Sequence, residues 1–183
     1  MRDTIVIGLT GAPGAGKSTG AAYIFSKLKM LGVDAELVTE FAKDTVWEEN
    51  PTPFRNQAYM FGQQYYRLSR CFGKVDVIIT DSPLPLSIMY NTDERLDYHF
   101  DRMVINVWKN LNTKNFFLKR VKPYNPNGRN QTEEESDALS VRTQELYQEY
   151  GLPVTVLTGC VEDYDVIVNI VVEDLIKKGV ITE

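Results

Sequence analysis

The feature that most constrains this chain is the run Gly11, Ala12, Pro13, Gly14, Ala15, Gly16, Lys17, Ser18. It has the form G-x-x-x-x-G-K-[ST]. An apolar, β-branched stretch (residues 4–10, TIVIGLT) precedes it, and residues with helical spacing follow it. A strand, a glycine-rich turn and a helix in that order make a cradle for phosphate. Glycines let backbone N–H groups turn inward without a Cβ in the way. The helix that starts near Gly16 adds the positive end of its dipole. Lys17 is expected to reach the β- and γ-phosphates, Ser18 to ligate Mg²⁺, and Thr19 to bond the α-phosphate. The expected cofactors are therefore ATP and Mg²⁺.

The rest of the chain continues the alternation of strand and helix. Ala21, Ile24, Phe25, Leu28 and Leu31 fall on one helical face, which Gly32 closes. Further strands are expected at 35–39, 75–80, 115–119 and 154–157. Helices are expected at 54–72, 96–111, 132–150 and 161–178, with a short helix or loop at 41–49. Pro83 and Pro85 bar regular structure directly after the third strand. Thr132 and Glu135 form a capping-box pattern. Strands separated by helices indicate a parallel sheet covered on both faces. The expected fold is a P-loop NTPase α/β/α sandwich with a five-stranded parallel sheet and a short lid at 121–131, in one domain spanning 1–183.

Composition narrows the setting. With 183 residues, 43% hydrophobic and 25% charged, the chain is globular and neither disordered nor fibrous. No apolar run approaches the ~20 residues of a membrane span. Two cysteines imply no disulfide framework. These features give the expectation of a cytoplasmic protein with no membrane partner. A net charge of −5 argues against broad, non-specific DNA binding but leaves room for a local basic face.

Phosphoryl transfer needs a carboxylate near Mg²⁺ and the attacking oxygen. In an open parallel sheet such groups stand at the carboxyl ends of strands. Asp81 follows VDVIIT, and Glu40 follows AELVT. Asp81 reads as a Walker-B-like acid or as an N-cap of the next segment. Glu40 reads as a site acid or as a surface acid in a helix's first turn. Arg120 and Arg129, flanked by Lys119 and Lys122, sit in and beside the polar loop 121–131. With no acid nearby in sequence to hold them, they are expected to close over the triphosphate as a lid. Tyr124 and Asn125 contact an acceptor or shape the turn. The helix containing Gln57, Tyr59, Phe61, Gln63, Gln64, Tyr65 and Tyr66 supplies core, or a face that lines an acceptor pocket. His99, read as mid-helix, is expected to pack or to lie at the surface, and Cys71 and Cys160 to be buried, rather than to react.

Three segments carry a resemblance: TEFAKD (residues 39–44), the Gln-rich helix 57–70 and VDVIITDSPL (residues 75–84). They resemble the kinase domain of NadR-type nicotinamide riboside kinases. More widely, they resemble small P-loop kinases, including bacteriophage nucleotide and nucleoside kinases. RVKPYNPNGRNQTEEE (residues 120–135) resembles the lid of such phage kinases, one branch of which phosphorylates the hydroxymethyl group of 5-hydroxymethyluracil in phage DNA. The resemblance implies ATP-dependent phosphorylation of a hydroxyl. Asp81 is then the general base or, with Ser18, the metal-side acid. Arg120 and Arg129 are the lid, and Glu40, Gln64 and Tyr124 lie towards the acceptor. A phage origin would place the protein in the host cytoplasm.

Two acceptor classes follow. A modified pyrimidine in DNA is favoured by the basic run Lys114, Lys119, Arg120, Lys122 and Arg129. A free nucleoside, a nucleotide or nicotinamide riboside is favoured by the net acidity. A different class of function is a nucleotide-driven switch or ATPase with no acceptor. The phosphate-loop match yields a first prediction. Lys17→Ala abolishes transfer of labelled phosphate from ATP, because the lysine stabilises charge that grows in the transition state. Its circular dichroism spectrum remains that of the wild type.

Overall fold

The computed structural model describes residues 2–121, 123 and 132–182. Its centre is β1 (Ile5–Thr10), in which all six residues are buried. Parallel pairing on both sides explains this: β3 (Val77–Thr80) lies against one edge and β4 (Asn112–Lys119) against the other. β2 (Ala35–Val38) and β5 (Thr155–Thr158) complete a five-stranded, all-parallel sheet in the order β2-β3-β1-β4-β5.

Alternation along β1 feeds two cores. Ile5, Ile7 and Leu9 pack with Ala21, Ile24 and Leu28 of α1 (Lys17–Met30) and with Ile167, Val171 and Leu175 of α7 (Val161–Lys177). Val6 turns to the opposite face. There it meets Phe61 and Leu68 of α3 (Gln57–Ser69), Val104 and Trp108 of α5 (Tyr98–Lys109) and Tyr147 of α6 (Glu133–Glu149). A strand covered on both faces has no polar side, so it reads as a continuous apolar run.

Element boundaries differ from expectation where tertiary contacts override local pattern. β4 begins three residues early, at Asn112, because the polar stretch 112–114 pairs with the start of β1. The segment 41–49 is helical as α2 (Phe41–Trp47). A 3-10 turn (Thr52–Arg55) precedes α3, which starts at Gln57 because Asn56 caps it through Tyr59 N–H. One turn of helix, α4 (Leu86–Met89), follows Pro85, whose fixed φ suits a helix start. Leu31 is exposed instead of joining the α1 stripe. It is the C-cap of a Schellman turn in which Gly32 N–H donates to Lys29 O and Val33 N–H to Leu28 O, so Val33 takes the buried place. The capping box of α6 forms as expected, Thr132 N–H donating to Glu135 Oε2 and Glu135 N–H to Thr132 Oγ1.

Three elements brace the phosphate loop from behind. Ser136 Oγ of α6 donates to Pro13 O at 3.0 Å, and Tyr164 OH of α7 donates to Gly16 O at 3.0 Å. Gly159, after β5, lies so close to Ala15 that a Cβ there would stand 2.1 Å from Ala15 O. That contact is backbone against side chain and has no rotamer to relieve it. Gly159→Ala therefore destabilises the protein by ~1–3 kcal/mol through overpacking and weakens nucleotide binding. Gly62→Ala is the control. It lies inside α3 with nothing within 4 Å of its Cβ position, and it stabilises by ~0.5–1 kcal/mol. Urea unfolding of both variants measures the contrast.

Candidate functional site

The carboxyl ends of β1, β2 and β3 open into one cleft of about 810 Å³. The phosphate loop forms one end. Gly11, Gly14 and Gly16 have φ of 136°, 83° and 90°, a region that L side chains rarely adopt, which is why the motif requires glycine there. α1 begins at Lys17 without a side-chain cap, the kind of helix start whose first N–H groups serve an anion. Lys17 Nζ donates to Gly11 O at 2.8 Å and Ala12 O at 3.1 Å, so its ammonium lies along the loop it belongs to. Gly11, Pro13, Gly14, Gly16, Lys17, Ser18 and Thr19 line the cleft, while Ala12 and Ala15 are buried behind it.

Asp81 is the junction of this end. It is 3% exposed, and three donors satisfy its carboxylate. Ser18 Oγ donates to Oδ2 at 2.6 Å, Lys43 Nζ to Oδ2 at 3.1 Å, and Glu40 N–H to Oδ1 at 3.1 Å. Lys43 Nζ also donates to Ser18 Oγ at 2.5 Å. α4 starts at Pro85 with no side-chain cap, so Asp81 faces the phosphate loop and does not serve as that helix's cap. The pair Ser18 and Asp81 is a hard-oxygen donor set of the kind Mg²⁺ takes alongside nucleotide phosphates and water. Among the described residues no group of three His, Cys, Asp or Glu forms a protein metal cage. The donor set therefore fits a metal that arrives with a nucleotide.

Glu40 is close enough to feel the charges of Lys17, Lys43 and Asp81, and it acts in turn on Tyr90. It is the N-cap residue of α2, half-buried, and it lines the cleft. Burial raises its carboxyl above the usual carboxylate range. Lys17 and Lys43 oppose that shift, and Asp81 adds to it. Much of the remaining lining is apolar: Phe54, Met60, Leu86, Met89 and Tyr90, with Gln57, Ser87 and Thr143 among them. The Tyr90 hydroxyl is pushed up to about 12, first by burial and then by the charge of Glu40.

Gln64 lines the same cleft but is already engaged. Its Oε1 accepts Phe41 N–H at 2.9 Å, and its Nε2 points to Thr39 O and Thr80 Oγ1 at 3.5 and 3.4 Å. It ties α3 to the elbow between β2 and α2. Arg67, stacked 5.1 Å from the Phe41 ring and paired with Asp44, reinforces that elbow.

Arg120 has acidic partners after all. Its Nη2 reaches Glu133 Oε1 at 3.0 Å and Asp137 Oδ1 at 2.8 Å, and its Nη1 donates to Ser136 Oγ at 3.3 Å. The acids come from the first turns of α6, which the fold returns to the end of β4. Arg120 thereby fastens the first turn of α6, which carries the Ser136 that braces Pro13, to the end of β4. Lys122, Tyr124, Asn125 and Arg129, with most of the expected lid at 121–131, lie outside the described residues. His99 is the second residue of α5, beside its cap Asp97, and not mid-helix. Cys71 and Cys160 are unpaired thiols distant from one another in sequence.

Lys43 was missed from sequence. Its only trace was its position three residues after Glu40, at the start of the helix that follows a strand's carboxyl end. Its meaning depends on the register Val38↔Thr80, which sets Glu40 and Lys43 beside Asp81. The raised carboxyl of Glu40 has a measurable consequence. A folded-state pKa above the unfolded value means that ionisation opposes folding at neutral pH. The penalty vanishes once pH falls below the unfolded value, where both states are protonated. Glu40→Gln therefore melts at a higher temperature than the wild type at pH 7 to 8, and the two melting curves converge in acid.

The fold has known counterparts. The shikimate kinase of Aquifex aeolicus superposes with a TM-score of 0.52 at 17% identity, covering 92% of this chain and 96% of that one. No curated protein matches the sequence. Among the described residues no helix is long and apolar enough to cross a membrane. Residues 6–163 match the family described as AAA domain, a span that runs from β1 through every cleft residue named above; the chain belongs to that P-loop family.

Proposed function

We propose that this protein is an ATP-dependent kinase that transfers the γ-phosphoryl group to a hydroxyl of a neutral, nucleoside-like acceptor. The observation that carries this is the position of Glu40, a carboxylate that shares one cleft with the phosphate loop, Lys17 and Asp81 and with the apolar residues Phe54, Met60, Met89 and Tyr90. A nucleotide switch needs no such apolar lining. In the proposed reaction the acceptor hydroxyl lies between Glu40 and the γ-phosphorus. Its proton passes to the Glu40 carboxylate as its oxygen bonds to phosphorus, and the bond from phosphorus to the ADP oxygen breaks. Lys17 stabilises the oxygens of the transferring group. Ser18 and Asp81 hold Mg²⁺, which when bound neutralises charge on the β- and γ-phosphates. Asp81 thus takes the metal-side role, and Glu40 that of base.

The lining supports a neutral acceptor. Among its described residues the cations are Lys17 and Lys43, both at the phosphate loop or the Ser18–Asp81 pair, where they serve the nucleotide, and the apolar lining suits an uncharged group. Phe54 and Tyr90 offer faces for a planar ring, and Gln57 and Ser87 offer hydrogen bonds to its edge. A pyrimidine carrying a hydroxymethyl group suits this description. In DNA it would enter as a flipped base, its backbone phosphates remaining outside. The sequence resemblance to phage kinases favours that acceptor over a free nucleoside.

The test is transfer of labelled phosphate from ATP to three substrates: nucleosides, nucleoside monophosphates and DNA containing 5-hydroxymethyluracil. Acceptor-dependent turnover with the DNA or the nucleosides is expected. Turnover indifferent to every acceptor would instead indicate an ATPase. In the active assay, Glu40→Gln lowers kcat by ~10²–10⁴ with ATP affinity retained, the usual range for losing a general base. Asp81→Asn raises the Mg²⁺ concentration needed for half-maximal rate. The reverse pattern would exchange the roles of the two carboxylates.

A further inference from the structure

The Ser18–Asp81 pair is shared by a third group that the proposed reaction does not use. Lys43 Nζ lies 2.5 Å from Ser18 Oγ and 3.1 Å from Asp81 Oδ2, closing a triangle whose remaining side is the 2.6 Å Ser18–Asp81 bond. Asp81 is almost wholly buried, whereas the Lys43 side chain is 46% exposed. The ammonium therefore reaches inward from the cleft wall to a carboxylate that solvent does not reach. It contacts both oxygens that an ion held by this pair would use. A Mg²⁺ ion holds its oxygens at about 2.0–2.1 Å. At that range an ammonium within 3.1 Å of both oxygens overlaps the ion's coordination shell and repels its charge.

We infer that Lys43 is a built-in cationic competitor for the metal seat, and that loading the metal with its nucleotide displaces Lys43 and alters the exposed last turn of α2. This rests on the nucleotide-binding reading of the site. Two features make the displacement feasible. Lys43 is a flexible, half-exposed side chain in the first turn of a seven-residue helix, so removing it from the seat disrupts little packing. α2 is held at its start by the Glu40 N–H bond to Asp81 and the Phe41 N–H bond to Gln64, and in its middle by the Asp44–Arg67 pair and the buried Thr45, so only its last turn is lightly packed. That last turn carries Trp47, which is 84% exposed, while the other tryptophan, Trp108, is fully buried. The released ammonium remains in the cleft beside Glu40, within reach of a phosphoryl group arriving from the cradle.

The experiment compares wild type with Lys43→Gln, using a non-hydrolysable ATP analogue with imidodiphosphate in place of the β,γ-bridge. Calorimetric titration gives the dissociation constant with Mg²⁺ and in EDTA, and their ratio measures how strongly the metal assists binding. In Lys43→Gln that ratio is expected to rise by about tenfold or more, through tighter binding of the Mg²⁺ complex, because a positive competitor has been removed. In wild type, tryptophan emission changes on adding the Mg²⁺ complex but not the metal-free analogue, and Trp47→Phe removes the change. An unaltered or smaller ratio in Lys43→Gln overturns the proposal. So does a wild-type emission signal identical with and without metal, a measurement that stands even if the variant does not fold. Failure of the folded wild type to bind the analogue under either condition overturns the nucleotide-binding reading itself, and this proposal with it.

Discussion

The site depends on one buried carboxylate. Asp81 has almost no access to water, so each of its oxygens needs a protein donor, and an unmet need would cost several kcal/mol. Its donors come from three places in the chain: Ser18 at the start of α1, Glu40 N–H at the start of α2 and the Lys43 ammonium one turn later. Asp81 itself ends β3. Because β3 lies between β2 and β1 in the sheet, its carboxyl end is the only one that can reach both neighbours. The demand of one desolvated charge therefore sets the spacing between the phosphate loop, the candidate base and α2.

The phosphate loop is held in its particular form by a second set of contacts, mostly with backbone carbonyls. Ser136 and Tyr164 donate to Pro13 O and Gly16 O, and Gly159 packs against Ala15. Arg120 belongs to this scaffold. By joining Glu133, Ser136 and Asp137 it places the N-terminus of α6 against the loop, at the end of the very strand that pairs with β1. A turn with three left-handed glycines would relax if unsupported. The surrounding helices over-determine it, and its N–H groups are thereby set before any phosphate arrives.

Charge and apolar surface share the cleft. The cations and the buried carboxylate gather at the phosphate loop, while Phe54, Met60, Met89 and Tyr90 contribute apolar lining. Glu40 lines the same cleft, and its raised carboxyl shows what that place costs: a charge partly removed from water. Such a group opposes folding and suits proton transfer, a trade that recurs at sites of chemistry.

Much of this was legible in the chain itself. The motif from Gly11 to Ser18, the apolar run before it and the stripe after it specify strand, loop and helix, because their constraints are local: φ, side-chain size and a period of 3.6 or 2. Repeated alternation then specified a parallel sheet, and the carboxyl ends of its strands named Asp81 and Glu40 as site acids. What local pattern could not supply was neighbourhood. The polar residues Asn112 to Lys114 are strand only because β1 lies beside them. Arg120 is a brace only because α6 returns to it, and Gln64 is tied to the β2–α2 elbow because three elements converge there. The placement of Asp81 beside Ser18, of Glu40 at the same strand end, and of Lys43 across Ser18 follows from the strand order and from the register of β2 on β3. Sequence determined the phosphate-loop motif and the acids at the strand ends. Only the tertiary structure decided which of them share a charge, because electrostatic and hydrogen-bond energies depend on separations of a few ångströms that sequence distance does not encode.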